Sequence, residues 1–228
     1  MGGVETRSPA PSPVVGPDPT AATERIWLDR TSWVDVVRGW VRGADDLYGA
    51  LAKGTAWRQG KLWRYERWVD EPRLGASWRP GGDAPHAPLV GLHRAVRAAY
   101  AVPFESLALA WYRDGRDSVA FHRDRELRWL DDTVIAVLTL GAARPWLLRP
   151  RSRRYDHEAP DRGATHDLAP RSGDLLVMGG RCQADWEHAV PKVPGRPGGR
   201  ISLQWRWTAR TGRPENGPSY RAPRNFSR

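Results

Sequence analysis

His122 and Asp124 stand two residues apart. On an extended chain that spacing turns both side chains to one face, so an imidazole and a carboxylate can converge on one metal ion. A third ligand is then expected from a distant part of the chain on a neighbouring strand, and His188 suits that place, after a predicted strand at 174–178 and before one at 200–208. Two His and one carboxylate leave coordination positions open for small molecules, the arrangement of non-haem iron(II) oxygenases. The triplet alone is a weak signal, because His-x-Asp often arises by chance and a lone His beside a turn is usually structural. His86, His93, His157 and His166 have no comparable partner, and the adjacent His166 and Asp167 would face opposite sides of a strand. Cys182 is the only cysteine, which leaves no internal disulfide and no thiolate zinc cluster. A metal therefore falls to His and carboxylate.

The second chemical feature is the run from Arg200 to Trp207. Arg200, Ser202, Gln204 and Arg206 alternate with Ile201, Leu203, Trp205 and Trp207, the period of a strand. Two arginines on one strand face are by default a solvated sheet edge. They could equally offer two guanidinium forks to a dicarboxylate, which Arg geometry suits.

These residues need strands to hold them, and the second half of the chain supplies the pattern. Short strands are predicted at 106–113, 118–122, 133–140, 145–149, 165–168, 174–178 and 200–208, separated by Gly115, Gly141, Gly163, Gly173, Gly179, Gly180 and the 194–199 stretch. Many short strands imply a sandwich or barrel. The first third looks helical instead. Trp33, Val36, Val37, Trp40 and Val41 recur at helical spacing after Thr31 or Ser32, a second helix is expected at 44–53 before Gly54, and a third at 89–100. Residues 57–88 show no clean period and read as short strands and loops. The expected fold is α+β with a mainly β core: a double-stranded β-helix, or jelly roll, buttressed by N-terminal helices.

Four ordered motifs make the reading specific. Tyr112-Arg113-Asp114-Gly115-Arg116-Asp117-Ser118, then His122-Arg123-Asp124-Arg125-Glu126, then Trp186-Glu187-His188-Ala189-Val190-Pro191-Lys192, then Arg200-Ile201-Ser202 with Arg206, together resemble the AlkB-like dioxygenases. Glu71-Pro72-Arg73-Leu74 resembles the segment where that family enters its nucleotide-recognition lid. The resemblance implies a dioxygenase that uses Fe(II), 2-oxoglutarate and O2 to demethylate N-alkylated bases in DNA or RNA. It implies His122, Asp124 and His188 as the iron ligands, Arg200 on the distal carboxylate of 2-oxoglutarate, Tyr112 as a hydrogen-bond donor to that cosubstrate, and Arg206 near its iron-binding end. Glu126, Arg125 and Trp78 are candidate substrate contacts, and Trp63, Tyr65 and Trp68 are further aromatics for a flipped or single-stranded base. Two departures stand out. Ala110 occupies a position where the family commonly has Asn, and Arg125 follows the metal aspartate where repair members commonly carry an acid; a cation there disfavours a positively charged base.

The chain has 228 residues, 40% of them hydrophobic, with a formal charge of +10. The charge fits a polyanionic partner, although an Arg-rich composition from a GC-rich genome would produce it equally. Residues 1–24 read as a disordered leader, 25–209 as one dioxygenase domain and 210–228 as a flexible basic tail. No run reaches the roughly 18–20 apolar residues of a membrane helix, and no secretory signal stands at the start. The expectation is a soluble, cytoplasmic monomer acting on nucleic acid, with no membrane partner. Two rivals share the fold: a 2-oxoglutarate-dependent hydroxylase of a protein or small molecule, and a non-catalytic nucleic-acid-binding module.

Overall fold

A computed structural model describes residues 14–64, 66–124, 127–151, 164–212 and 214. In chain order the elements are β1 (Gly16–Pro17), β2 (Thr23–Trp27), β3 (Ser32–Val37), β4 (Val41–Arg42), α1 (Ala44–Gly54), β5 (Arg58–Arg64), β6 (Arg67–Trp78), α2 (Pro88–Tyr100), β7 (Leu107–Tyr112), β8 (Val119–His122), β9 (Thr133–Gly141), β10 (Leu147–Pro150), β11 (His166–Asp167), β12 (Leu175–Gly180), α3 (Cys182–Asp185), β13 (Trp186–Val190) and β14 (Arg200–Thr208). Eight strands form one antiparallel sheet in the order β2-β3-β12-β9-β14-β7-β6-β5, and four form a second in the order β11-β10-β13-β8.

Burial explains the layering. The run Val134-Ile135-Ala136-Val137-Leu138 in β9 is buried throughout, because the large sheet is covered on both faces. Ala136, Leu138, Ile201, Leu203 and Trp205 pack with Leu47 and Leu51 of α1 and Leu89, Leu92 and Val96 of α2. On the opposite face Ala110, Tyr112, Ile135 and Val137 meet Trp146, Leu148, Trp186 and Val190 of the small-sheet region. The small sheet thus lies across the large one as the second layer of a double-stranded β-helix. The functional face of β14 looks between the sheets, where Arg200 is 0% exposed. It is not a solvated edge.

Three expectations need correction. Residues 32–37 are strand, not helix: Val34, Val36 and Val37 are β-branched, and β3 pairs with both β2 and β12. A strand buried on both faces loses its alternation, and the spacing of Trp33, Val36, Val37, Trp40 and Val41 then imitates a helix. Among the described residues, the buttress is α1 and α2. The folded chain also begins before residue 25, since β1 pairs with β4 and β2 starts at Thr23; residues 1–13, and 213 with 215–228 of the expected tail, lie outside the described residues. Third, 57–78 is one long hairpin, with β6 running twelve residues and the register slipping between Gln59 and Lys61.

Candidate active site

β8 delivers His122 at its last residue, and the chain then turns to place Asp124. The turn before β8 is built by Asp117, which accepts from Arg113 Nε at 2.7 Å and from Arg113 N at 2.9 Å. Gly115 is required there, because a Cβ would sit 2.3 Å from the Val193 carbonyl oxygen. His188 lies inside β13, directly opposite His122 in the ladder, with the two rings 4.3 Å apart between centroids. Ligand atoms of His122, Asp124 and His188 all come within 4.8 Å of one another. Sequence reading placed His188 between strands. β13 was missed because it is only five residues long and directly follows the short α3.

Neighbours fix each of the three groups. His122 Nδ1 lies 2.9 Å from the Ala120 carbonyl oxygen, so as the N–H tautomer it donates there and leaves Nε2 as a lone-pair donor. The His188 ring stacks on Trp146 at 5.3 Å and 15°. Burial, with the neighbouring His122, pushes its imidazole down to about 3, which keeps it neutral as a ligand must be. Asp124 N donates to Gln183 Oε1 at 2.8 Å. The Asp124 carboxylate accepts from Arg206 Nε at 2.9 Å and is 5% exposed. Burial raises the Asp124 carboxyl, but Arg206 and the two imidazoles more than offset this and hold it well below the usual carboxylate range. Trp146 and Gln183 carried no signal in the sequence, since neither belongs to a spaced motif.

Arg200 opens β14 opposite Tyr112 of β7 and Gly141 of β9. Its Nη2 donates to Thr139 Oγ1 at 3.2 Å, while Nε and Nη1 are buried without a partner. Burial lowers its pKa to about 10, so it is still a cation at neutral pH. A buried cation with two idle donors is costly. Among the described residues no carboxylate forms an ion pair with it, Asp167 acting on it only through the electrostatic field, so the group calls for an anionic ligand. Arg144, also missed in the sequence, lies close behind. Its guanidinium stacks over the Tyr112 ring at 5.6 Å and donates to the carbonyls of Asp114, Asp117 and Pro191 at 2.9, 2.7 and 2.8 Å. Arg144 spends both terminal nitrogens on backbone carbonyls and leaves only Nε without a partner. Arg200 leaves two nitrogens unpaired and has no carbonyl on the third.

A family model described as "2OG-Fe(II) oxygenase superfamily" matches residues 61–206, the stretch that holds all of these groups. The chain belongs to the 2OG-Fe(II) oxygenase superfamily. Among its superfamily relatives, "Alpha-ketoglutarate-dependent dioxygenase alkB homolog 3" of Bos taurus is 28% identical over 180 residues, covering 73% of this chain and 62% of that protein. The homologue of that name in Homo sapiens is 28% identical over 186 residues with the same coverage. "DNA oxidative demethylase ALKBH2" of Arabidopsis thaliana is 33% identical over 121 residues, covering 45% of this chain and 37% of that protein. These relatives bear out the AlkB-like resemblance; the chain spans less than two-thirds of their length. Solved superfamily folds also match. A prolyl hydroxylase from Trichoplax adhaerens aligns at TM-score 0.55 and 12% identity over 76% of this chain and 83% of that one. "OsALKBH1" aligns at 0.52 and 12% over 81% and 100%. At these identities the likeness is one of fold.

The cofactors of this superfamily, Fe(II) and 2-oxoglutarate with O2, fit the residues present. His122, Asp124 and His188 offer two nitrogens and a carboxylate, and the idle Nε and Nη1 of Arg200 match a carboxylate fork. Arg206, expected near the iron-binding end of the cosubstrate, pairs with the Asp124 carboxylate. Other expectations fare differently. Trp78 is not at the site: it is 6% exposed in the helix-facing core, with its ring edge on His93 and Nε1 donating to the Gly82 carbonyl at 3.0 Å. Its place in a strand facing α2 explains the burial. Arg125, Glu126 and Tyr65 lie outside the described residues. Ala110 packs in the inter-sheet core and offers no hydrogen bond in place of an Asn.

Proposed function

We propose that the protein is an Fe(II)- and 2-oxoglutarate-dependent dioxygenase that demethylates N-alkylated bases in DNA or RNA. The observation that carries this reading is the buried Arg200, with two unpaired guanidinium nitrogens, on a face shared with the partner of the His122–Asp124–His188 cluster. The dioxygenase and demethylase names of the relatives and the charge of +10 support nucleic acid as the substrate.

His122, Asp124 and His188 hold the iron, which when bound supplies the means of activating O2. Arg200 takes the distal carboxylate of 2-oxoglutarate, with the Tyr112 hydroxyl beside it. Arg206 keeps Asp124 ionised and fixes its orientation for the metal. Trp146 holds the His188 ring from behind. The net reaction consumes O2 and 2-oxoglutarate; the N-methyl carbon leaves as formaldehyde, the base nitrogen regains a proton, and succinate and carbon dioxide are released.

A base stacked in a duplex cannot reach groups as buried as His188 and Asp124, so the substrate is single-stranded or flipped. The β5–β6 hairpin supplies the platform. Trp63 and Trp68 pair edge-to-face at 5.5 Å, and Trp68 is 53% exposed, a surface on which unstacked bases can lie. Arg73, on the same hairpin, lies near enough to His188 to help keep that imidazole neutral. The enzyme acts as a monomer. No helix among the described residues is long and apolar enough to cross a membrane. The test is release of formaldehyde and succinate from methylated oligonucleotides by the Fe(II)-loaded protein. Succinate formation with no mass loss from any oligonucleotide would move the activity to another substrate class.

A further inference from the structure

A cavity of about 570 Å³ opens at the far end of β14 and β7, lined by Ala108, Leu127, Gln204, Arg206, Thr208 and Arg210 among others. It adjoins the candidate iron ligands. Arg206 in its wall reaches Asp124 Oδ2 at 2.9 Å, and Leu127 N donates to the Asp124 carbonyl at 3.3 Å. Its volume lies within the range of small-ligand sites.

One wall group has its polarity fixed. Arg206 Nη2 donates to Gln204 Oε1 at 2.5 Å. A guanidinium has donors only, so the carboxamide must turn its oxygen toward Arg206 and its NH2 away. Gln204 lines the cavity and makes no other side-chain hydrogen bond among the described residues. The cavity therefore contains an oriented donor. The charged groups around it are paired: Arg206 with the Asp124 carboxylate at 2.9 Å, and Arg210 with the exposed carboxylate of Glu105, which also lines the cavity, at 3.9 Å.

We infer that Gln204 determines base specificity, donating a hydrogen bond to a carbonyl oxygen beside the alkylated nitrogen and so selecting neutral lactam-type bases. The inference rests on the nucleic-acid demethylase reading above. N3-methylthymine is neutral and has a carbonyl on each side of its alkylated nitrogen. N1-methyladenine presents an exocyclic amine there, which would leave the Gln204 donor facing another donor. A site built to donate rejects a ligand without the acceptor because its own donor is left unpaired.

The experiment measures formaldehyde release by the full chain, with Fe(II), 2-oxoglutarate and O2, from matched single-stranded oligonucleotides carrying one N3-methylthymine or one N1-methyladenine. The expected kcat/KM favours N3-methylthymine by about tenfold or more. Gln204→Glu keeps the acceptor that Arg206 needs and replaces the donor by a second acceptor; it shifts the ratio toward N1-methyladenine by about tenfold. Gln204→Met, with no polar group, lowers turnover of N3-methylthymine without raising that of N1-methyladenine, and thermal melting checks that each variant is folded. Should the Glu variant not fold, the Met variant carries the same test. A wild-type preference for N1-methyladenine, or an unchanged ratio in a folded variant, overturns the role of Gln204 alone. Normal succinate formation with no formaldehyde from either oligonucleotide overturns the demethylase reading and this inference with it.

Discussion

At the scale of single residues, the account turns on groups whose chemistry is incomplete without a ligand. Arg200 is the clearest. A buried guanidinium with two unpaired nitrogens destabilises the unliganded fold, and a hydrophobic residue of similar volume relieves that cost. Arg200→Met is expected to raise the melting temperature of the protein without 2-oxoglutarate by roughly 3–6 °C, equivalent to about 1–2 kcal/mol. Saturating 2-oxoglutarate with Fe(II) should then stabilise the wild type and leave the variant almost unmoved. A lower melting temperature for Arg200→Met would mean the guanidinium is already satisfied in the empty fold. The sequence made Arg200, His122, Asp124 and His188 visible, because fixed spacing and strand alternation mark them. Trp146, Gln183 and Arg144 were not visible. Each acts through one contact set by the tertiary fold, a ring stack, a backbone amide and three carbonyls, and none of these leaves a spacing pattern.

At the scale of elements, legibility followed how each element is covered. α1 and α2 have one buried stripe each, Leu47 and Leu51 in the first and Leu89, Leu92 and Val96 in the second, and their periods were plain. β14 alternates two chemically distinct faces, so its register could be read from sequence. β3 failed because both its faces are covered, and β13 because five residues carry too short a pattern. The helix α3 illustrates what such small elements do: it brings Gln183 under Asp124 and buries Cys182, whose thiol donates to the Trp33 carbonyl at 3.3 Å. Burial pushes the Cys182 thiol up to about 12. A raised acid pKa in the folded state means the unfolded chain releases its proton first. Cys182 therefore favours unfolding as pH climbs from its ordinary value near 9 toward about 12. Cys182→Ala should flatten the alkaline fall in stability over that window, measured by denaturant titration at successive pH values. An equal slope in both proteins would show that the thiol ionises freely in the fold.

At the scale of the whole molecule, two sheets face each other and bring distant residues to one cleft. β8 and β13 give the His122–Asp124–His188 cluster from the small-sheet side, and β14 gives Arg200, Gln204 and Arg206 from the large one. The net charge of +10 belongs to this scale as well. If it serves nucleic-acid binding, affinity for a single-stranded oligonucleotide falls steeply with salt, with a log–log slope of about −0.7 per phosphate contacted. A flat response would leave the charge a matter of composition. The central claim is that the metal cluster and Arg200 form one site, with the guanidinium reserved for the keto acid. It is tested by anaerobic calorimetric titration of Fe(II), and then of 2-oxoglutarate, into the wild type and Arg200→Met. The account predicts that the variant binds Fe(II) within about twofold of the wild type and 2-oxoglutarate roughly 100-fold more weakly, the loss of a buried charge-assisted pair. Equal 2-oxoglutarate affinity in the two proteins would contradict it.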